Sequence, residues 1–176
     1  MKTFNTALFK KNIKFFCEKT FDFPESYKKN YQYLLNSKKT LLEEIFPKEV
    51  NNASLIKQFS KISYNLNLND KEEVGSLNKC IYEPGWNYLL RKGKMWRPIL
   101  GLNIAEATNI RKCIDFDIVT QLMLIVEVLH NASLIIDDIE DKSEMRRGEK
   151  CLHLIYDEAI SINVGVGLYY IPIYNL

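Results

Sequence analysis

Three aspartates close the most apolar stretch of this chain, Asp137 and Asp138 together and Asp141 three residues on, with Met145-Arg146-Arg147-Gly148 immediately beyond. On a helix this spacing puts Asp137 and Asp141 on one face, with Asp138 beside them. Carboxylates crowded so closely repel one another unless a cation sits among them, and a helix C-terminus adds its own negative partial charge. Hard oxygen ligands on a rigid element suit Mg2+, which takes a few carboxylates and completes its shell with water and substrate phosphates. Arg146 and Arg147 then read as the other half of a diphosphate clamp, because guanidinium groups pair with phosphate in bidentate fashion. A solvated run of charge is the bland alternative. Here, however, the aspartates end a buried helix instead of riding an exposed face.

A second basic cluster, Arg91-Lys92-Gly93-Lys94-Met95-Trp96-Arg97-Pro98, lies between two helical segments. Lys94 and Arg97 are three apart, which places them on one face of the first turn of the next helix, a position that favours anions and tolerates Pro98. His130, seven residues before Asp137, shares the face of the aspartates. With Glu127 it also forms Glu-x-x-His, the spacing of di-iron bundles. That site needs a second copy, and the other histidine, His153, has Lys150 at the corresponding position.

Together, Gly93-Lys94-x-x-Arg97-Pro98, Leu129-His130-Asn131-Ala132-Ser133-Leu134-Ile135-Ile136-Asp137-Asp138-Ile139-Glu140-Asp141 and Arg146-Arg147-Gly148 resemble the trans-isoprenyl diphosphate synthase family. The wording of the aspartate segment is most similar to eukaryotic geranylgeranyl diphosphate synthases. The resemblance covers roughly Leu77 to Leu176, about the first half of that family's all-helical fold.

The resemblance implies a prenyltransferase. Magnesium held by the aspartates grips an allylic diphosphate and helps it leave, and the double bond of isopentenyl diphosphate attacks the resulting cation. Loss of a proton then completes a trans-prenyl diphosphate five carbons longer. By motif position Asp137 and Asp141 are metal ligands and Asp138 a supporting member of the catalytic set. Lys94, Arg97 and His130 hold isopentenyl diphosphate, Arg146 contacts the allylic diphosphate, and Arg147 faces isopentenyl diphosphate. The positions four and five before Asp137, Ser133 and Ala132, are where bulky aromatics resemble a floor limiting chain length. Small side chains there imply a product of twenty carbons or more, geranylgeranyl diphosphate being the leading expectation. This chemistry needs no protein nucleophile, only Lewis-acid assistance and cations preorganised around a leaving group.

Apolar residues at three- and four-residue steps predict helices near Glu25–Phe46, Ser54–Leu66, Leu77–Arg91, Pro98–Thr108, Asp115–Asp141 and Asp157–Tyr170, with no alternating strand pattern. Breaks fall at Phe23-Pro24, Pro47, Asn67–Asp70, Gly93 and Gly148, and the last helix ends toward Pro172. The fold expected is all-α, an incomplete helical bundle of the isoprenoid synthase type. It divides into a helical N-terminal extension of unknown role, residues 1–74, and the N-terminal half of the synthase domain, residues 75–176.

With 176 residues, 47% hydrophobic content and a net charge of +2, the chain can bury one core, and nothing demands nucleic acid. Ile118–Ile136 is the greasiest stretch but carries Gln121, Glu127, His130, Asn131 and Ser133, which suits a bundle helix better than a membrane span. Cys17, Cys80, Cys113 and Cys151 lack metal-type spacing and read as reduced thiols of a cytoplasmic protein. Met1–Thr20 is rich in lysine and phenylalanine but lacks arginine, so an ordinary amphipathic helix is favoured over an organelle transit peptide.

The family's second aspartate-rich motif does not occur in these residues. The expectation is therefore the N-terminal portion of a prenyltransferase, working as a homodimer or a synthase heteromer. The alternative is a shortened, non-catalytic subunit that binds and modulates a complete synthase. A class I terpene cyclase would share the aspartates but have no use for Lys94, Arg97 and His130.

Overall fold

A computed structural model describes residues 23–59, 71–91, 93–108 and 115–174. The expectations for Met1–Thr20, for the end of the second helix at Leu66 and for the break at Asn67–Asp70 lie outside them, as do Cys17 and Cys113. The described elements are α1 (Phe23–Ile45), α2 (Asn52–Phe59), α3 (Lys71–Leu77), a π-helical turn (Asn78–Tyr82), α4 (Glu83–Leu89), α5 (Trp96–Thr108), α6 (Phe116–Glu140), β1 (Met145–Arg146), β2 (Glu149–Lys150), α7 (His153–Tyr156) and α8 (Glu158–Tyr174). The described residues are all-α apart from the small antiparallel hairpin β1–β2.

Helix α6 is the axis of the bundle, packed mainly against α8 and α5 and also touched by α1 and α4. Asp115 starts it, its carboxylate accepting from the Asp117 and Ile118 amides at 2.9 and 3.4 Å. Leu124, Val128, Ala132 and Ile135 form its fully buried stripe. By length and composition α6 could cross a membrane, yet 44% of its most apolar window is buried inside the protein. Exposed apolar residues recur at four-residue steps, Leu100 and Ile104 on α5 and Ile118, Leu122 and Val126 on α6.

Helix α1 is tied to the bundle by polar contacts. Ser26 donates to Asn103 at 2.8 Å, Asn30 to Glu106 at 3.0 Å, and the Tyr33 hydroxyl to Asp117 at 2.8 Å. Lys38 donates to the Leu89 carbonyl, at the end of α4, at 3.2 Å. The loop after α1 is pinned as well, by Asn78 on both backbone groups of Val50 and by the Trp86 indole on the Pro47 carbonyl at 3.0 Å.

The helix predicted from Leu77 begins earlier, at Lys71, and contains the π turn. Pro84 accounts for that turn. It has no N–H, and its ring would strike the carbonyl four residues back in a regular helix. Widening the preceding turn, so that the Glu83 amide bonds to the Asn78 carbonyl, relieves this. One other expectation is corrected: helix α8 runs through Pro172 to Tyr174 instead of ending toward it. The break expected at Gly148 takes the form of a hairpin turn, in which Arg147 and Gly148 both have positive φ, 57° and 83°, as a two-residue type I′ connection requires.

Gly85 lets α4 approach Phe46, the residue just after α1. A Cβ there would lie 2.9 Å from Cε1 of Phe46, whose ring is fully buried. Gly85→Ala gains about 1 kcal/mol of helix propensity, but overpacking a closed core costs about 1–3 kcal/mol. A net loss of stability in urea denaturation is expected, and an unchanged or raised midpoint would show that Phe46 moves freely.

Candidate active site

The last turn of α6 holds Asp137, Asp138 and Glu140, Asp141 caps it, and no basic residue lies in that turn. Four carboxylates at the negative end of a helix dipole are unfavourable in isolation. The hairpin supplies the first counter-charge. Arg146 on β1 donates through Nε to Asp138 Oδ1 at 2.7 Å, with Nη2 2.5 Å from the same oxygen and 3.5 Å from Asp137 Oδ2. That bond raises the guanidinium further above its ordinary pKa. Asp138 is 1% exposed, and its Oδ2 has no hydrogen-bond partner among the described residues. The buried Cys151 thiol lies beside Asp138; burial, then that carboxylate's charge, pushes it up to about 11.

Asp137 and Asp141 are exposed, while Asp138 is sealed under Arg146. The three aspartates thus divide into two open carboxylates and one buried anchor. Mg2+ asks for one or two carboxylates plus water and substrate phosphate, so the donor set Asp137 and Asp141 fits it. No three carboxylate, imidazole or thiol groups among the described residues are gathered tightly enough to hold an ion by themselves.

Arg147 points away from Arg146. Its left-handed backbone turns the guanidinium back onto α6, where Nη2 donates to Asn131 Oδ1 at 2.7 Å and lies 3.7 Å from Glu127 Oε1. It also rests against Gly93, where an added Cβ would come within 3.0 Å of Cζ, and stands 5.9 Å from the Tyr88 ring. Non-glycine residues with positive φ are strained and persist where their surroundings over-determine them. Here Gly93, Asn131, Glu127 and Tyr88 do so. Glu127 is 5% exposed; burial raises its carboxyl above the usual range, although Arg147, Lys38 and Arg97 pull it down.

Arg97 lies in the first turn of α5 with its guanidinium 4.5 Å over the Trp96 ring, close enough for its charge to reach Glu127 and His130. Burial, then Arg97, Arg147 and Arg146, lowers His130, which favours the neutral imidazole, the form with one N–H to donate. Lys94 departs from expectation. It is exposed on the linker before α5, and Met95 between it and the helix has a φ of 47°. Lys94 and Arg97 therefore do not share a helical face. Ala132 is fully buried toward α8, where Gly165 approaches its carbonyl, whereas Ser133 is half-buried with its hydroxyl on the His130 carbonyl at 2.8 Å.

Several supporting residues escaped sequence reasoning. Arg91, 2% exposed, donates to the Lys150 carbonyl at 2.9 Å and to Asn87 at 3.0 Å, and meets Glu149 at 3.5 Å, holding the hairpin against α4. Its guanidinium lies 4.9 Å from the ring of Tyr88. Tyr88 is fully buried, its hydroxyl has no partner among the described residues, and burial, then Asp138, pushes the phenol up to about 12. A signal did exist for Glu127 and Asn131: with Asp138 they form one polar stripe, at four- and seven-residue steps, on an otherwise greasy helix. Arg91 offered none beyond membership of the basic cluster, and Tyr88 none beyond proximity to it.

The chain belongs to the polyprenyl synthetase family, whose profile matches residues 78–176. It is 31% identical over 123 residues to solanesyl-diphosphate synthase 2, chloroplastic, of Oryza sativa subsp. japonica, covering 69% of this chain and 30% of that protein. It is 36% identical over 110 residues to the geranylgeranyl pyrophosphate synthase of Clitopilus passeckerianus, covering 62% and 30%. The corresponding enzyme of Rhodocybe pseudopiperita is 38% identical over 98 residues, covering 55% and 27%. The matched region thus spans less than a third of the length of these relatives.

Removing Arg146 leaves Asp138 charged and unpaired in a buried position, which costs about 3–5 kcal/mol. Arg146→Met should therefore be markedly less stable than wild type in urea denaturation, and adding Asp138→Asn should recover much of the loss. A double variant no more stable than Arg146→Met would mean that the pair is not the anchor of the hairpin.

Proposed function

We propose that the complete protein carrying this chain is a Mg2+-dependent prenyltransferase that joins isopentenyl diphosphate to an allylic diphosphate, giving a longer trans-prenyl diphosphate. The observation that carries this reading is the divergence of the two hairpin arginines. Arg146 stands with Asp137 and Asp138 at the tip of α6, and Arg147 stands with Asn131, Glu127 and Gly93 nearer its middle. One helix thereby presents two separate cationic stations, as a reaction between two diphosphates requires.

At the tip station, Asp137 and Asp141 would hold Mg2+ and Arg146 would meet the allylic diphosphate. Mg2+ bound there supplies Lewis-acid assistance to departure of the diphosphate. At the second station, Arg97, Arg147 and His130 would fix the isopentenyl diphosphate, with Lys94 reaching in from its exposed linker. Preorganised donors of this kind stabilise charge that develops during reaction without reorganising at the moment it occurs. Asp138 acts indirectly, by aiming Arg146.

Relatives named for geranylgeranyl and solanesyl products, together with small Ala132 and Ser133, support a product of at least twenty carbons, geranylgeranyl diphosphate among them. Since Ala132 is sealed against α8, Ser133 is the one of the two that has room to meet a growing chain. The exposed apolar strips of α5 and α6 suit a further helical layer or a second copy of the chain.

In the complete protein, Asp137→Ala and Asp141→Ala are expected to lower turnover by several orders of magnitude. Arg97→Ala should instead raise KM for isopentenyl diphosphate most strongly. Steady-state assays with radiolabelled isopentenyl diphosphate measure both effects, and unchanged kinetics in all three variants would overturn the assignment.

A further inference from the structure

A cleft of about 440 Å³ runs between α1 and the linker that carries Gly93. Its lining includes Lys38, Lys39, Arg91, Gly93 and Met95, so among the described residues three cations and no carboxylate border it. Gly93 is also the residue against which the Arg147 guanidinium rests, so the cleft abuts the second cationic station. Lys38 is the member of α1 whose charge reaches that station: it feels Glu127 and Arg147, and burial, more than Arg147, lowers its ammonium below the usual range. We propose that Lys38 is a substrate-binding residue that holds the diphosphate of isopentenyl diphosphate, making α1 a wall of the active site. The inference rests on the prenyltransferase reading above and extends it to a helix outside the family match at residues 78–176.

The lysine is well prepared for this role. Its bond to the Leu89 carbonyl uses one of three ammonium donors and anchors the head group at the C-terminal end of α4. Two donors remain for an anion. Glu127 is the buried carboxylate amid Lys38, Arg97 and Arg147, so this cluster carries an excess of positive charge that an incoming diphosphate neutralises. A cation with a direct bond to substrate is expected to change affinity by roughly ten- to a hundredfold. A lysine serving only to cap α4 would change stability and leave affinity alone.

Calorimetric titration of isopentenyl diphosphate into the complete protein tests this, alongside thermal unfolding of each variant. Lys38→Gln should weaken binding roughly ten- to a hundredfold with little change in Tm, and Lys38→Arg should restore most of it. Affinity for an allylic diphosphate should be unaffected in both. A readout on the wild type covers the case in which Lys38→Gln does not fold: isopentenyl diphosphate should protect Lys38 from acetylation. Equal acetylation with and without it, or full affinity in Lys38→Gln while Arg97→Gln loses it, would overturn the role of Lys38 alone. Absence of isopentenyl diphosphate binding by the wild type would instead remove the prenyltransferase reading, and this inference with it.

Discussion

A carboxylate buried at the end of a helix has to find a cation or give up its charge, and Asp138 finds Arg146. Much of the site's geometry follows from that pair. It folds the hairpin back over the tip of α6, and with the hairpin comes Arg147, one residue farther along the chain. Because Arg147 occupies the left-handed first position of the turn, its side chain leaves in a different direction from that of Arg146 and lands on Asn131 and Glu127. Two adjacent arginines on an ordinary extended strand would also face opposite ways, but the turn brings both within reach of one helix.

Helix α6 carries the site as two stripes. Glu127, Asn131 and Asp138 lie buried and receive the arginines, while His130, Ser133, Asp137 and Asp141 lie half-buried or exposed, and these are the side chains that the proposed reaction assigns to substrate and metal. Rigid packing against α5 and α8 keeps the stripes in register. Tyr88 near the end of α4 and Arg91 just beyond it brace the hairpin, with the Tyr88 ring 4.9 Å from the Arg91 guanidinium and 5.9 Å from that of Arg147. The strain in Arg147 and the crowding of acids at the tip of α6 are both costs in stability, offset by the packed helices behind them.

What could be read from the sequence follows physical lines. Long helices announce themselves by apolar periodicity, and the two charged motifs stood out because charge is rare in such surroundings. The π turn could not be placed, since it arises from Pro84 acting within a helix that otherwise continues. The hairpin escaped because strands of two residues show no alternation, and its turn uses Arg-Gly where Asn-Gly is the usual signal. Lys94 was assigned to a helical face because spacing alone does not reveal that Met95 leaves the helical region of backbone space. Lys38 was invisible for another reason: the cleft it lines exists only once α1 has packed beside the linker, and no local pattern encodes that contact.

We propose that one helix serves two diphosphate stations of different chemistry, one built on carboxylates suited to Mg2+ and one on protein cations alone. The most direct test is calorimetric titration of the complete protein with an unreactive thio-analogue of an allylic diphosphate and, separately, with isopentenyl diphosphate, each with Mg2+ and with excess chelator. Chelation should abolish allylic binding and leave isopentenyl diphosphate affinity nearly unchanged. Equal loss of both, or no loss of either, would contradict it.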